Sequence, residues 1–259
     1  MFHVPCSCTI AAVKLQGRTA LVTGAGSGIG RATAIRLAAD GAAVGCLGRT
    51  ALGPEAAAAE IVESGGRAIA LTADVSDAGA VNRAVTMLQE SQGTVGILVN
   101  NAGIPGEGRF TDVSFEAWQR VLDVHVTGAF HVTQAVLPGM IAAGWGRVVT
   151  IGSEAAWLGH SSVQYATAKA ALLGFTRSLA RQVAGSGVLV NLIAPGPVET
   201  PMLFDNTPAE IEKERESVLI GRFLRPEEIA ATVAFLVGPG GDGYVGQVFS
   251  PNGGTVFTG

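Results

Sequence analysis

The sequence alternates short apolar runs with longer helix-like segments along most of its length. Six runs have the length and composition of buried strands, at residues 19–23, 43–47, 68–71, 96–99, 147–151 and 189–193. Between them, the pattern predicts helices near residues 29–39, 54–65, 77–91, 115–143 and 162–184. Strands that alternate with helices favour a parallel sheet with right-handed crossovers and helices on both faces. We therefore predict an α/β fold, built as one doubly wound domain.

The composition agrees with a single large core. The chain has 259 residues, of which 48% are hydrophobic and 15% are charged, and no linker or change of composition divides it. We place the domain at residues 17–259 and expect residues 1–16 to form a loose N-terminal extension. Cys6 and Cys8 in that extension make an odd total with Cys46, which argues against a disulfide framework. No further His or Cys cluster completes a four-ligand site, so we expect no metal.

The charge pattern excludes several classes of partner. The net charge is −4 and the sequence contains no run of Lys or Arg that could follow a phosphate backbone, so nucleic acid is not an expected partner. No apolar stretch reaches the roughly 18–20 residues of a membrane span. The first residues lack the basic region of a signal peptide. We expect a cytoplasmic protein without a membrane partner.

Residues suited to binding or chemistry follow every predicted strand. They are the glycine-rich turn 24–30, Arg49, Asp74, residues 100–103, Ser153 and residues 195–196. Ligands of parallel sheets bind beyond these carboxyl ends of the strands. The turn has Gly24, Gly28 and Gly30, and it departs from the common dinucleotide fingerprint because residue 29 is isoleucine. Glycines allow close backbone approach, and the helix that follows offers N–H groups to a pyrophosphate.

Tyr165 and Lys169 are four residues apart in a predicted helix, so they share one face. A positive charge about 4–6 Å from a phenol lowers its pKa from the ordinary value near 10. Ser153 lies twelve positions upstream. If a nicotinamide ring lies beside the pair, Tyr165 can transfer a proton while a hydride moves on carbon. This arrangement predicts an alcohol/carbonyl oxidoreductase.

Four motifs in this order resemble the short-chain dehydrogenase/reductase family. They are Thr23-Gly24-x-x-x-Gly28-x-Gly30, Asn100-Asn101-Ala102-Gly103, Ser153 and Tyr165-x-x-x-Lys169, and the resemblance covers residues 17 to about 254. It implies a seven-stranded Rossmann sheet in the order 3-2-1-4-5-6-7, a nicotinamide cofactor, and usually a homotetramer or homodimer. It also implies that Tyr165 is the acid in reduction and the base in oxidation, that Lys169 holds the nicotinamide ribose, and that Ser153 hydrogen-bonds the substrate oxygen.

The resemblance also assigns cofactor contacts. Thr200 matches the position that contacts the nicotinamide carboxamide, Val198 meets the ring through its backbone, Asp74 and Val75 contact the adenine edge, and Asn101 supports the loop under the adenosine. The full predicted set is Gly24, Ser27, Gly28, Ile29, Gly30, Arg49, Asp74, Val75, Asn101, Ala102, Gly103, Tyr165, Lys169, Pro195, Gly196, Val198 and Thr200.

The end of the second predicted strand indicates which cofactor binds. An NAD enzyme places an acidic residue there to accept the ribose 2′-hydroxyl, whereas an arginine suits the 2′-phosphate of NADP. Gly48 occupies the acidic position and Arg49 follows it. Arginine pairs well with phosphate, so we favour NADP(H) and keep NAD(H) as possible.

One position departs from the family pattern. Family members usually have an asparagine in the long fourth helix, which completes a proton relay through water to the lysine. This chain has His125 there. A lone helical histidine usually only packs, but this position favours a relay role.

Residues 197–221 lie where the family carries a mobile substrate lid. The predicted substrate pocket consists of Ile104, Ala155, Trp157, Met202, Leu203 and Phe204. This apolar set favours a neutral ketone or secondary alcohol. The chain also resembles oxoacyl carrier-protein reductases, so a 3-oxoacyl thioester remains an alternative. A noncatalytic NAD(P)-binding sensor would be expected to lose Tyr165 or Lys169, and both are present.

The C-terminal part matches the last strand of the family at residues 245–254, with Asn252 where aspartate is usual. That strand commonly lies at a subunit interface in family members. We therefore expect a homotetramer, with a homodimer as the alternative.

Overall fold

A computed structural model describes residues 15–106, 108–159, 162–204 and 207–257. These residues form a seven-stranded parallel sheet in the order β3-β2-β1-β4-β5-β6-β7. The strands are β1 (Thr19–Thr23), β2 (Ala43–Gly48), β3 (Arg67–Thr72), β4 (Val95–Asn100), β5 (Gly146–Ile151), β6 (Val188–Ile193) and β7 (Val248–Phe249). The predicted α/β class and the strand order are confirmed.

Helices cover both faces of the sheet. Their bounds are α1 (Gly28–Ala39), α2 (Leu52–Glu63), α3 (Ala78–Gln92), α4 (Phe115–Leu122), α5 (Gly128–Ala142), α6 (Ala155–Leu158), α7 (Val163–Val183), α8 (Pro201–Phe204), α9 (Pro208–Glu216) and α10 (Pro226–Val237). Helices α1, α2 and α10 share one apolar core with the sheet, and α3, α5 and α7 share the other.

The central strands are mostly apolar because both of their faces are buried. In β1, Ala20 and Val22 belong to one core, whereas Leu21 between them belongs to the other. In β4, Val99 and Leu98 likewise belong to different cores. Neighbouring side chains of a strand point to opposite faces, so these strands contribute to both cores.

The structure differs from the predicted helices at several places, and the short helices α6, α8 and α9 were not predicted. Helix α10 was not predicted, although Ile229 and Val233 are fully buried in the core that also contains α1. The predicted helix 115–143 is interrupted by a π-helical turn, Asp123–Thr127. The helix predicted over residues 162–184 ends at Val183, and the backbone turns at Gly187, which has a positive φ of 80°.

The ends of the predicted domain can be compared with the described residues. Leu15 is buried and its N–H donates to the Asp40 carbonyl at 2.7 Å, so the packed core includes a residue two positions before the predicted domain start at residue 17. Cys6 and Cys8 lie outside the described residues. Within residues 245–254, only β7 pairs as a strand, which is shorter than predicted because the Asn252 turn follows.

Three further observations concern the free cysteine, membrane-spanning helices and metal-binding groups. Burial raises the pKa of the free Cys46 thiol to about 12, which keeps it protonated and unreactive. No helix in the described ranges is long and apolar enough to cross a bilayer. Across those same ranges, His, Cys, Asp and Glu nowhere gather in a group of three that could hold a metal ion.

Candidate active site

Thr23, the last residue of β1, ties the turn after β1 to the turn after β4. Its hydroxyl oxygen accepts the N–H groups of Asn101 and Ala102, each at 2.9 Å. The Asn101 side-chain amide donates to the carbonyls of Thr23, at 2.9 Å, and Gly24, at 3.3 Å. The sequence predicted Asn101 as a support for this loop, and the structure places it directly under the glycine turn.

The glycine turn leaves no room for side chains. Gly24 and Gly28 have positive φ angles of 66° and 49°, which favour glycine. A Cβ atom on Gly28 would lie 2.9 Å from the Thr200 methyl group, and one on Gly30 would collide with the Gly24 carbonyl. The turn therefore brings bare backbone against the groove at the start of α1, where helix N–H groups favour an anion.

Two cavities meet at Gly24 and Gly103 and form one groove along the carboxyl ends of the strands. The larger, of about 290 Å³, includes these predicted residues in its wall: Gly24, Ser27, Gly28, Ile29, Asn101, Gly103, His125, Ser153, Tyr165, Lys169, Pro195, Gly196, Val198 and Thr200. The smaller, of about 220 Å³, includes Arg49, Asp74, Val75 and Ala102. Gly30 lines neither cavity, because it is buried beneath the turn.

Ser153, Tyr165 and Lys169 lie together in the wall of the larger cavity. The Ser153 and Tyr165 side chains are hydrogen-bonded. The Lys169 Nζ lies 5.4 Å from the centre of the Tyr165 ring and donates to the Ile151 carbonyl at the end of β5, at 2.8 Å. Lys169 is only 4% exposed. The strand end thus fixes the lysine, and the lysine lies beside the phenol.

The pKa values of the pair differ from the prediction. Burial raises the pKa of Tyr165 to about 12, against the lowering effect of the Ser153 hydrogen bond. Burial also lowers the pKa of Lys169 to about 7. The expected lowering of the phenol's pKa is therefore not found in the protein alone, because burial disfavours the charged form of each group. At neutral pH, Tyr165 keeps its proton and can act as an acid.

His125 lies in the π-helical turn between α4 and α5 and is 3% exposed. Its Nε2 is 3.0 Å from the Ile104 nitrogen and 2.8 Å from the Ile104 oxygen. Its ring meets the Tyr165 ring edge to face, with centroids 5.4 Å apart. Burial, and then the charge of Lys169, lower its pKa to about 3, so the imidazole is neutral. π-Helical turns often occur at functional sites, and this one brings His125 to both the tyrosine and the loop after β4.

Replacement of His125 tests the relay role, which remains a prediction. We expect His125→Asn to keep most of the activity, because an amide can still bond Ile104 and pass a hydrogen bond onward. We expect His125→Ala to lose about tenfold or more in kcat, equivalent to at least ~1.4 kcal/mol on the barrier. The pH profile of kcat for both variants separates a relay from simple packing. Wild-type rates in the alanine variant would eliminate the relay role.

Asp74 lies in the smaller cavity and is held by two partners that sequence reasoning missed. The Arg120 guanidinium in α4 donates to its carboxylate at 2.8 Å, and Ser76 donates from both its backbone and its hydroxyl. Burial alone would raise the pKa of Asp74, but these hydrogen bonds and the arginine charge lower it to about 2. The carboxylate is therefore ionised and fixed. Arg120 is 46 residues away in sequence, so no local pattern pointed to it.

The predicted substrate residues do not all lie together. Met202 and Leu203 in α8 line the larger cavity, beside Val198 and Thr200. Trp157 and Phe204 are 38% and 58% exposed and line neither cavity. Ala155 is buried behind Ser153. Ile104 lines the smaller cavity instead, because His125 holds its backbone there.

Glu154 was also missed, although it directly follows Ser153. It is 3% exposed and its carboxylate is hydrogen-bonded by the Thr255 hydroxyl. Burial raises its pKa to about 6, and the negative charge of Glu214 in α9 acts in the same direction. The turn that contains Thr255 also binds the end of segment 197–221, the predicted lid, since Ile220 donates its N–H to the Gly253 carbonyl at 3.1 Å. The segment 252–255 thus links the serine loop to the end of that segment.

The glycine turn, the groove across the strand ends and the Ser153, Tyr165 and Lys169 cluster define an oxidoreductase of the Rossmann type that uses a nicotinamide dinucleotide. The residues fit that cofactor, because bare glycine backbone, an ionised Asp74 and a buried lysine line one continuous groove. The family model of the short chain dehydrogenases matches residues 18–210. The chain belongs to the short-chain dehydrogenase/reductase family.

Curated relatives and solved structures agree with this assignment. The chain is 40% identical to the 3-oxoacyl-[acyl-carrier-protein] reductase FabG of Aquifex aeolicus, over 93% of this chain and 98% of the relative. It is also 40% identical to the short-chain reductase protein NovJ of Streptomyces niveus, over 96% and 98%. A dehydrogenase/reductase structure from Sinorhizobium meliloti superimposes with a TM-score of 0.88 at 35% identity, over 95% of this chain and 98% of that one.

Proposed function

We propose that the protein reduces a neutral ketone to a secondary alcohol with NADPH. The observation that carries this proposal is that Tyr165, Lys169 and Ser153 line the same cavity as the glycine turn. When bound, the nicotinamide supplies the hydride. Tyr165 donates its proton to the developing alkoxide, and Ser153 donates a hydrogen bond to the same oxygen. Lys169 holds the nicotinamide ribose and stabilises the phenolate that remains after proton transfer.

The preference for NADP(H) is supported by the smaller cavity. Gly48 offers no carboxylate to a ribose 2′-hydroxyl, and Arg49 lies exposed at the cavity wall. Arg49 forms no ion pair with another residue of the described part of the chain, so its guanidinium is available to a 2′-phosphate. NAD(H) remains the alternative cofactor. The ratio of kcat/KM for NADPH to that for NADH measures the preference, and a ratio below one contradicts it.

The substrate class is supported by the wall of the larger cavity. Met202, Leu203 and Val198 are apolar, and the residues lining it include Lys169 but no aspartate, glutamate or arginine. This wall suits an uncharged carbonyl compound. The relatives named 3-oxoacyl-[acyl-carrier-protein] reductases support a 3-oxoacyl thioester as the ketone to test first, with simple ketones and secondary alcohols as the broader class.

NADPH consumption at 340 nm, measured with a panel of carbonyl compounds, tests the proposal. We expect turnover of a 3-oxoacyl thioester of N-acetylcysteamine and of uncharged ketones, and little turnover of a 2-oxo acid of similar length. Preference for the 2-oxo acid would contradict the neutral substrate class. Tight NADPH binding without turnover of any compound would favour the noncatalytic sensor instead.

We also propose a cytoplasmic homotetramer, with a homodimer as the alternative. A group of neighbouring exposed apolar side chains near β7 supports association: Phe235, Tyr244 and Val245. Large apolar side chains at a surface often mark contacts between subunits. Light scattering of the purified protein gives the mass of the assembly directly.

A further inference from the structure

The start of α2 lies against both the glycine turn and the end of β2. A Cβ atom on Gly26 would lie 3.0 Å from the Gly53 Cα and 3.2 Å from the Pro54 Cδ. A Cβ atom on Gly53 would lie 2.8 Å from the Gly26 Cα. These are backbone and ring contacts, which cannot rotate away. The first turn of α2 is therefore fixed in place by the cofactor-binding turn.

Pro54 also covers the position where cofactor choice is expected to be made. A Cβ atom on Gly48 would lie 2.7 Å from the Pro54 Cγ and 3.3 Å from its Cδ. A separation below 3.0 Å requires something to move, and a proline ring has no rotamer that leaves this place. The next nearest atom, the Thr50 oxygen, lies at an ordinary 3.6 Å. The obstacle at position 48 is thus the ring of Pro54 alone.

From this geometry we propose that Pro54 is a specificity-determining residue. Its ring excludes an acidic side chain from position 48, so no carboxylate at that position can accept a hydrogen bond from the ribose 2′-hydroxyl of NAD(H). The inference rests on the proposed NADP(H) preference and adds its steric cause. Arg49 attracts the 2′-phosphate, and Pro54 prevents the alternative. Because the Pro54 Cδ also lies near Gly26, 3.2 Å from the place of a Gly26 Cβ atom, a side chain at position 48 would push α2 against the glycine turn and weaken the binding of either cofactor.

A charge-free double-mutant cycle with Gly48→Ala and Pro54→Ala tests the steric part. Pro54 is the third residue of α2, where an alanine is well tolerated, and the change removes both atoms within 3.3 Å of the new Cβ. We expect Gly48→Ala to raise the Kd for NADPH by about tenfold, Pro54→Ala to change it by less than about threefold, and the double variant to match Pro54→Ala. Isothermal titration calorimetry measures each Kd, and no substrate is needed.

A second pair of variants tests specificity. Gly48→Asp alone is expected to lose NADPH binding by about tenfold or more without gaining NADH binding. Gly48→Asp with Pro54→Ala is expected to bind NADH more tightly than NADPH, because the carboxylate then fits beside the ribose. Thr50→Asp is the matched control, since it adds the same charge to the same cavity wall at a position that already carries a side chain. It is expected to weaken NADPH binding and to leave NADH binding unchanged, whether or not Pro54 is present.

The outcomes separate this inference from the proposed function. If the wild-type protein prefers NADH, the NADP(H) preference is wrong, whereas the alanine cycle still decides the role of Pro54. If Gly48→Ala binds NADPH like the wild-type protein, or if Gly48→Asp alone gains NADH binding, Pro54 excludes nothing and the inference is overturned. For variants that fold poorly, the melting temperature replaces the Kd as the measured quantity. If Gly48→Ala lowers the melting temperature and the added Pro54→Ala change restores it, the inference is supported. If Gly48→Ala and the double variant both fail to fold, the inference is contradicted.

Discussion

Tyr165→Phe is expected to lower kcat/KM for ketone reduction by about a thousandfold or more, equivalent to ~4 kcal/mol of transition-state stabilisation. The phenol is hydrogen-bonded to Ser153, and burial keeps it protonated at neutral pH, with a pKa of about 12. It is therefore the group that can deliver a proton to the carbonyl oxygen. Phenylalanine retains the ring that packs against His125 and removes only the acid. Initial rates at saturating NADPH measure the loss.

The chain provides a matched control, because it contains just two tyrosines. Tyr244 packs against Phe235 and Phe249, with ring centroids 5.6 and 5.0 Å away, and it lines neither cavity of the groove. Tyr244→Phe is expected to keep wild-type kcat/KM. The Kd for NADPH should change by less than about threefold in either variant. If Tyr165→Phe turned over at more than a tenth of the wild-type rate, Tyr165 would not be the acid.

Lys169→Met is expected to lower kcat/KM by about a hundredfold or more and also to weaken NADPH binding. Methionine keeps most of the buried volume but removes the positive charge beside Tyr165 and the donor to the Ile151 carbonyl. The phenolate left by proton transfer would then lack its nearest cation. Lys213→Met, at an exposed position of α9, is the control and should match the wild-type protein. A Lys169→Met enzyme with normal kcat would contradict the assigned role.

Lys169→Met is also expected to change how the free energy of unfolding depends on pH. Burial lowers the pKa of Lys169 from 10.5 to about 7, so between these values the unfolded chain binds a proton that the folded protein does not. The free energy of unfolding should therefore rise with pH across this window. Subtracting the Lys169→Met values from the wild-type values isolates that rise. Urea unfolding of the cofactor-free protein at several pH values measures it, and a flat difference would show that Lys169 is charged in the folded protein.

Much of the fold was readable from the sequence because the signals were local. Apolar runs such as residues 19–23 predict buried strands, and the polar residues that follow them indicate one edge of a parallel sheet. The motif residues Ser153, Tyr165 and Lys169 could be placed together for the same reason. Helix α10 was not predicted, although its sequence carries local helix signals, with Pro226 in the first turn and buried apolar residues at 229, 233 and 236.

The electrostatics were less predictable than the positions. A four-residue spacing correctly put Lys169 beside Tyr165, but it carried no information on how deeply both groups are buried, and burial reverses the direction of the phenol's pKa shift. Arg120 and Glu154 were missed because their partners, Asp74 and Thr255, are distant in sequence. The π-helical turn at His125 was missed because a continuous helical pattern does not reveal one extra residue in a turn.

The hydroxyl of Thr23 has a thermodynamic consequence. It ends β1 and at the same time caps the loop after β4, so the walls of the groove are continuous with the most buried strands of the sheet. The wall formed by the turns after β1 and β4 can then move only together with the centre of the sheet. A ligand bound against this wall therefore stabilises the whole domain against unfolding. A dinucleotide at a hundred times its Kd adds about 2.7 kcal/mol to the free energy of unfolding.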